Sequence, residues 1–341
     1  MSGAYVGVLE ESDPLHAVLT RDVLAGRLGC SVASPVYDVF RLDGSGTIYR
    51  YAERRTYVEV VGKFFGRKWL HGRQDGEPEL RQALLRREFE NLCYARGLGL
   101  DAYPHQVVRA LAASAATGCV LVEDYVRGLD LEHFIRHAAH GGSGHELRDR
   151  LSDVASFLAD LHTRSARNEG VSEAAGGAYL EKIIGQLAYW DVVPHEQRGR
   201  LEALRDRWAA SGLLGRGRNV LVHGDCTPLH FFHAPEHGIT AIDMERARPA
   251  DRAWDLGCMA AELKHLFWWY TGDREAGEPY IRHFYGAYAG FLPPGEEDFG
   301  LLTARGRFFM ACYELRTSRN PWLDLGYRRE LINHAEACLQ I

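Results

Sequence analysis

Apolar and polar positions along the chain divide it into a strand-rich beginning and a helix-rich remainder. Residues 13–28 set Leu15, Val18, Leu19, Val23, Leu24 and Leu28 at helical spacing, with Ser12 or Asp13 as cap and Gly29 as stop. Val36–Leu42 and Ile48–Tyr51 read as strands on either side of the turn Asp43-Gly44-Ser45-Gly46, a hairpin pattern. Tyr57–Phe65 is a third strand whose apolar run holds one cation, Lys63. Residues 79–96 predict a helix with Leu80, Leu84, Leu92 and Ala95 inward, and Glu88 shares that face. Residues 107–113 and 119–126 are further strands, and Arg127-Gly128-Leu129 opens a linker.

From there the period changes. Residues 141–144, Gly-Gly-Ser-Gly, read as a flexible loop. Residues 147–164 form an amphipathic helix with Leu151, Val154, Leu158 and Leu161 buried and His162 as a structural histidine. Two more helical patterns flank Pro194 within residues 178–210. Val220–Val222 is a short buried strand, broken at once by His223-Gly224-Asp225. A second run, His230–His233, leads through a turn with Pro235 and Gly238 to the strand Ile239–Ile242, which ends on Asp243. Asp255 opens an apolar helix through Leu266 and is placed to cap it. The aromatic run Phe267–Tyr270 and a last helix around Phe308–Leu315 follow, with aromatics dense enough to pack helices together or to wall a pocket.

Two carboxylates at the ends of apolar strands, Asp225 and Asp243, are costly unless something cationic or reactive uses them. Such a pair suits phosphoryl transfer: one carboxylate accepts the proton of a hydroxyl nucleophile, the other holds Mg²⁺ against a triphosphate. Lys63 inside a strand needs an acidic partner if it is to hold phosphates, and Glu88 is the candidate. The backbone N–H groups of Gly44, Ser45 and Gly46 are placed to cover phosphates.

Composition narrows the field. The 341 residues suffice for two lobes, and 46% hydrophobic with 25% charged residues is ordinary for a globular chain. A formal net charge of −6 leaves no footprint for nucleic acid or an anionic membrane. Seven scattered cysteines without a C-x-x-C pair read as reduced thiols and a cytoplasmic setting. The beginning of the chain shows no basic stretch followed by an apolar run, and no stretch is long and apolar enough for a membrane span.

His-Gly-Asp at 223–225 followed by Ile242-Asp243-Met244-Glu245 resembles the aminoglycoside phosphotransferase family, to which choline and small-sugar kinases are related. The resemblance covers about residues 36–340. It implies an α+β, two-lobed, protein-kinase-like fold: a nucleotide-binding lobe at 1–126, including the helix at 13–28, and a helical lobe at 127–341 with the catalytic loop and acceptor site. Carried over by position, Asp225 is the catalytic base, His223 orders its loop, and Asp243 holds the metal. The family's asparagine, a second metal ligand, falls on His230, whose nitrogen is softer than an amide oxygen. Lys63 and Glu88 clamp the α- and β-phosphates, the backbone of Asp124 and Val126 meets the adenine, and Asp255 braces the catalytic loop. Glu245 is a candidate for contact with metal or acceptor. The implied reaction moves the γ-phosphoryl group of ATP or GTP, with Mg²⁺ or Mn²⁺, to a hydroxyl of a small molecule such as an aminoglycoside-like antibiotic, amino sugar, sugar or amino alcohol. The alternative, motivated by His230, is a nucleotide-binding pseudokinase with little turnover.

Overall fold

The structure is a computed structural model that describes residues 3–42, 47–65, 69–70, 73–74 and 78–341. The turn Gly44, Ser45 and Gly46 lies outside the described residues. The chain forms two compact units, one of Met1–Gly128 with Thr240–Glu245, the other of Leu129–Ile239 with Arg246–Ile341.

In the first unit the strands are β1 (Ala4–Val8), β2 (Tyr37–Arg41), β3 (Thr47–Glu53), β4 (Glu59–Phe64), the short pair β5 (Trp69–Leu70) and β6 (Arg73–Gln74), then β7 (Asp101–Ala102), β8 (His105–Val107), β9 (Ala110–Ser114) and β10 (Val120–Asp124). Six of them make one antiparallel sheet in the order β1-β2-β3-β4-β10-β9. Strand β4 is therefore interior, and Lys63 sits opposite Ile48 of β3 and Leu121 of β10. The run expected at 107–113 is two strands, β8 and β9, and β1 was not expected at all. It is a mostly exposed edge strand, so burial left little period in its sequence.

The segment expected as a helix at 13–28 begins as α1 (Pro14–Ala17), capped by the Asp13 carboxylate, which accepts the Leu15 N–H at 2.8 Å. It then widens into a π-helix, Val18–Ala25. Val18 with Val23, and Leu19 with Leu24, are five residues apart, the hydrogen-bond spacing of a π-turn. That winding puts all four into the core with Leu15, Tyr37, Tyr51, Val60, Leu111 and Val120. Helix α2 (Pro78–Gly97) buries Leu85, Glu88, Leu92 and Ala95. Leu80 is exposed and Leu84 only half-buried, a correction to the expected inner face; Leu85 and Glu88, three apart, share one face, with Leu92 and Ala95 further along it.

The second unit is mostly helical: α3 (Leu131–Ala139), α4 (Gly144–Arg164), α5 (Glu173–Tyr189), α6 (His195–Ser211), α7 (Ala253–Thr271), α8 (Glu278–Phe291), α9 (Phe299–Thr317) and α10 (Leu325–Cys338). The short strands here are β11 (Leu129–Asp130), β12 (Asn219–Val222), β13 (Phe231–Ala234) and β15 (Arg248–Asp251), while β14 (Gly238–Ala241) begins in this unit and ends in the first. Part of the expected loop at 141–144 is a cap: Ser143 Oγ accepts the Glu146 N–H, and α4 starts at Gly144. Leu151, Val154, Leu158 and Leu161 are buried as expected. Helices α7 and α9 approach until a Cβ at Gly257 would lie 2.6 Å from the Met310 amide nitrogen, so glycine is required there. No helix among the described residues is long and apolar enough to cross a membrane. Of the seven cysteines, Cys93 on α2 is exposed, Cys30 and Cys338 are half-buried, and Cys119, Cys226, Cys258 and Cys312 are buried; all are free.

Candidate active site

In the first unit the chemistry gathers on Lys63. Its ammonium donates to Glu88 Oε1 at 2.7 Å and to Asp243 Oδ1 at 2.8 Å, with Glu245 Oε2 at 3.9 Å. The period of β4 turns Lys63 inward, and α2 presents Glu88 from a fully buried position. The segment that carries Asp243 is pinned by two backbone contacts: Ala241 O accepts the Val108 N–H at 2.9 Å, and Met244 O accepts from Asn91 Nδ2 at 2.8 Å. Asp243 itself adopts φ 60°, a left-handed conformation that costs a non-glycine residue free energy and that clusters at functional sites. Burial works against the Lys63 charge, but Glu88 and Asp243 outweigh it and hold its pKa above the usual lysine value. Burial pushes Glu88 up, and it pushes Glu123 on β10 up to about 7. One ammonium thus faces several carboxyls.

That surplus of negative charge bears on a metal. Glu88, Asp243 and Glu245 bring carboxylate oxygens within 4.8 Å of one another. An all-oxygen donor set fits a hard divalent cation such as Mg²⁺ or Mn²⁺. Glu88 is fully buried, whereas Asp243 and Glu245 are partly exposed, so those two are the donors that fit.

In the second unit the catalytic-loop motif follows β12, whose pairing with β15 sets Val222 opposite Arg248. Gly224 has φ 81°, and a Cβ there would fall on the Arg246 carbonyl, so the loop can close only with glycine. Beneath it Asp255 is wholly buried. Its Oδ2 accepts the His223 N–H at 2.7 Å, its Oδ1 the Gly224 N–H at 2.9 Å, and His162 Nε2 lies 3.1 Å from Oδ2. His162 Nδ1 in turn meets the Tyr288 hydroxyl at 2.8 Å. Asp255 therefore braces the loop and does not cap α7, a correction to the capping expectation. Just before the helix, Asp251 accepts the Ala253 N–H at 3.0 Å.

Asp225 is buried and meets two cations: Arg316 Nη1 at 2.7 Å from Oδ1 and Arg246 Nε at 3.5 Å from Oδ2. Burial raises its pKa, but Arg316, Arg246 and His230 outweigh that and hold it below the ordinary aspartate value. Asp225 is thus an ionised carboxylate. The His230 ring stacks on His223 with centroids 5.7 Å apart, and its Nδ1 lies 2.8 Å from Asp225 O. A carbonyl only accepts, so Nδ1 carries a proton, and Nε2 is the nitrogen that offers a lone pair whenever the ring is neutral.

The positions assigned to the adenine differ in character. Asp124 N–H donates to Arg109 O at 3.1 Å and its carboxylate grips the Arg109 guanidinium at 2.8 Å. Val126 follows β10 and is half-buried. Arg316, Arg246 and Glu123 were missed by sequence reasoning. Only fold geometry brings Arg316, 91 positions away, to Asp225.

The chain matches the phosphotransferase enzyme family (APH) over residues 51–299. No curated protein sequence matches it significantly. Solved structures similar to it include the choline kinase LicA from Streptococcus pneumoniae, at 17% identity and TM-score 0.52, over 88% of this chain and 92% of that one. The aminoglycoside phosphotransferase APH(3'')-Id from Streptomyces rimosus, in complex with ADP and streptomycin, is 16% identical with TM-score 0.52, over 79% and 90%. The macrolide 2'-phosphotransferase MphH from Brachybacterium faecium is 14% identical with TM-score 0.53, over 93% and 97%. These likenesses establish the two-lobed kinase-like fold expected from the sequence. With the family profile spanning most of its length, the chain belongs to the phosphotransferase enzyme family and is a small-molecule phosphotransferase acting on hydroxyl groups.

Proposed function

We propose that the protein transfers the γ-phosphoryl group of ATP, or of GTP, to a hydroxyl of a small molecule, with Asp225 as the base. The observation that carries this reading is the state of Asp225: a buried carboxylate kept ionised by Arg316 and Arg246, on a loop braced by Asp255. Asp225 accepts the hydroxyl proton as the new oxygen–phosphorus bond forms and the bond to the nucleoside diphosphate breaks. Lys63, held protonated by Glu88, braces the phosphates. Asp243 and Glu245 would hold Mg²⁺ or Mn²⁺, and the position of His230 in the family motif assigns it to the metal as well. When bound, the metal neutralises charge on the transferring group. His223, through its backbone and ring, keeps the loop in shape. The nucleotide lobe is assigned to 1–126 and the acceptor lobe to 127–341, with the turn at Gly44, Ser45 and Gly46 and the backbone of Asp124 and Val126 on the nucleotide.

The test is Asp225→Asn. Phosphotransfer should fall by roughly 10²–10⁴-fold, the contribution of a positioned base. Nucleotide binding should survive, read as a metal-dependent rise in melting temperature; saturation at 100 times Kd stabilises by about 2.7 kcal/mol. Turnover that survives the substitution, or a wild-type chain indifferent to both nucleotides, refutes the reading.

A further inference from the structure

In the second unit several guanidiniums gather around Asp225. Arg316 and Arg246 both approach Asp225. A third guanidinium, Arg319, lies one turn beyond Arg316 on the chain: its Nε donates to Arg316 O at 3.0 Å and its Nη1 to the Gln186 side chain. Among the described residues Arg319 has no carboxylate partner. Burial, then the charges of Arg316 and Arg246, lower its pKa, so the three cations feel one another. Among the described residues one ionised carboxylate, Asp225, stands against Arg316 and Arg319. The next acid is Glu262 on α7, which burial pushes up to about 7, so that near neutral pH it carries only part of a charge. Glu132, which also repels Glu262, accepts the Tyr270 hydroxyl at 2.7 Å.

Half-buried guanidiniums with too few carboxylates call for an anion, since a forked donor pairs best with a carboxylate or phosphate. We infer that the acceptor carries a carboxylate or phosphate group beside its reactive hydroxyl, received by Arg319 and by the accessible edge of Arg316. Arg316 then has two functions. In the free protein it keeps Asp225 ionised; once an anionic acceptor engages the guanidinium, the hold on Asp225 loosens and its carboxylate takes the acceptor's O–H. A polycationic antibiotic would meet like charges at the same place. This inference rests on the phosphotransferase reading and narrows its acceptor.

Three sugars of similar hydroxyl content but negative, zero and positive charge make the test: gluconate, glucose and glucosamine, titrated calorimetrically into the full chain saturated with a non-hydrolysable ATP analogue and Mg²⁺. Gluconate should bind at least ~10-fold tighter than glucose, and glucosamine weakest. Arg319→Gln should erase most of that preference, and so should Arg316→Gln, which serves should the first variant fold poorly. Glucosamine binding as well as gluconate, absence of gluconate binding at tens of millimolar, or a preference untouched in both variants overturns the inference. The analogue's own effect on the melting temperature reports on the phosphotransferase reading separately. A normal effect there with no anion preference counts against this inference alone.

Discussion

Asp255 holds the backbone amide of His223 at 2.7 Å from thirty-two positions along the chain, and with its other oxygen it holds Gly224. One buried carboxylate therefore satisfies two loop donors and His162 together. Replacing it with alanine strands all three. Asp255→Ala should cost about 3 kcal/mol, in the range for breaking a buried charged network. Asp255→Asn, which keeps one acceptor, should cost less. Urea denaturation measures both, and phosphotransfer should fall with loop order in each.

Lys63 is the cation in a nest of carboxyls. Lys63→Met would leave Glu88, Asp243 and Glu245 facing one another, so it should weaken nucleotide binding at least tenfold and raise the demand for Mg²⁺. Lys63→Arg should not restore affinity, because a planar fork does not fit a site built for a point charge. Calorimetric titration with ATP decides; unchanged affinity in Lys63→Met would remove Lys63 from the nucleotide site.

Arg316 tunes Asp225, and the direction of its effect on pH dependence follows. A carboxylate held below its ordinary pKa stays active to lower pH, and losing the cation leaves burial unopposed. In Arg316→Gln the acid limb of the kcat profile should move to higher pH. A limb that stays in place, or moves down, contradicts the role given to the pair.

His334 supplies a stability prediction. Burial opposes its charge, but Cys338 and Glu314, whose oxygens lie 2.8 and 2.9 Å away, raise its pKa from 6.5 to about 10. A raised histidine contributes fully below about pH 6.5, and the contribution is lost as pH climbs through about 10. Its size, discounted for a side chain 25% exposed, is about 2 kcal/mol. Denaturation midpoints of the wild type should fall between pH 7 and 10, and those of His334→Gln should change less over the same interval.

His230→Asn would restore the oxygen donor that the family carries at this position. If the Nε2 lone pair of His230 ligates metal, the exchange should shift the preference from Mn²⁺ toward Mg²⁺ while turnover is retained. Assays in each metal read the ratio directly, and an unchanged ratio takes His230 out of the metal site.

The sequence was most informative where local pattern and chemistry coincide. Lys63 stood out because a strand period exposes a lone charge, and Glu88 because helix spacing places it on an apolar face. Asp225 and Asp243 stood out because each ends an apolar strand. What stayed hidden depends on tertiary packing. Arg316 looks like any solvated residue near a helix end until α9 brings it to Asp225. Asp255 sits where a cap belongs, but it is spent on the His223 and Gly224 amides, a contact 32 positions back along the chain that local pattern does not show. The π-helix at Val18–Ala25 keeps a helical composition, so only its five-residue repeat separates it from an α-helix.

The uneven burial of the thiols has a practical consequence. Burial raises the pKa of Cys226, Cys258 and Cys312, which makes them poor nucleophiles toward alkylating dyes. Cys93 alone is exposed, and it lies on α2, five positions beyond Glu88. The native chain thus offers a preferred attachment point for a fluorophore on the very helix whose glutamate holds Lys63, and nucleotide binding could be followed there without engineering a cysteine.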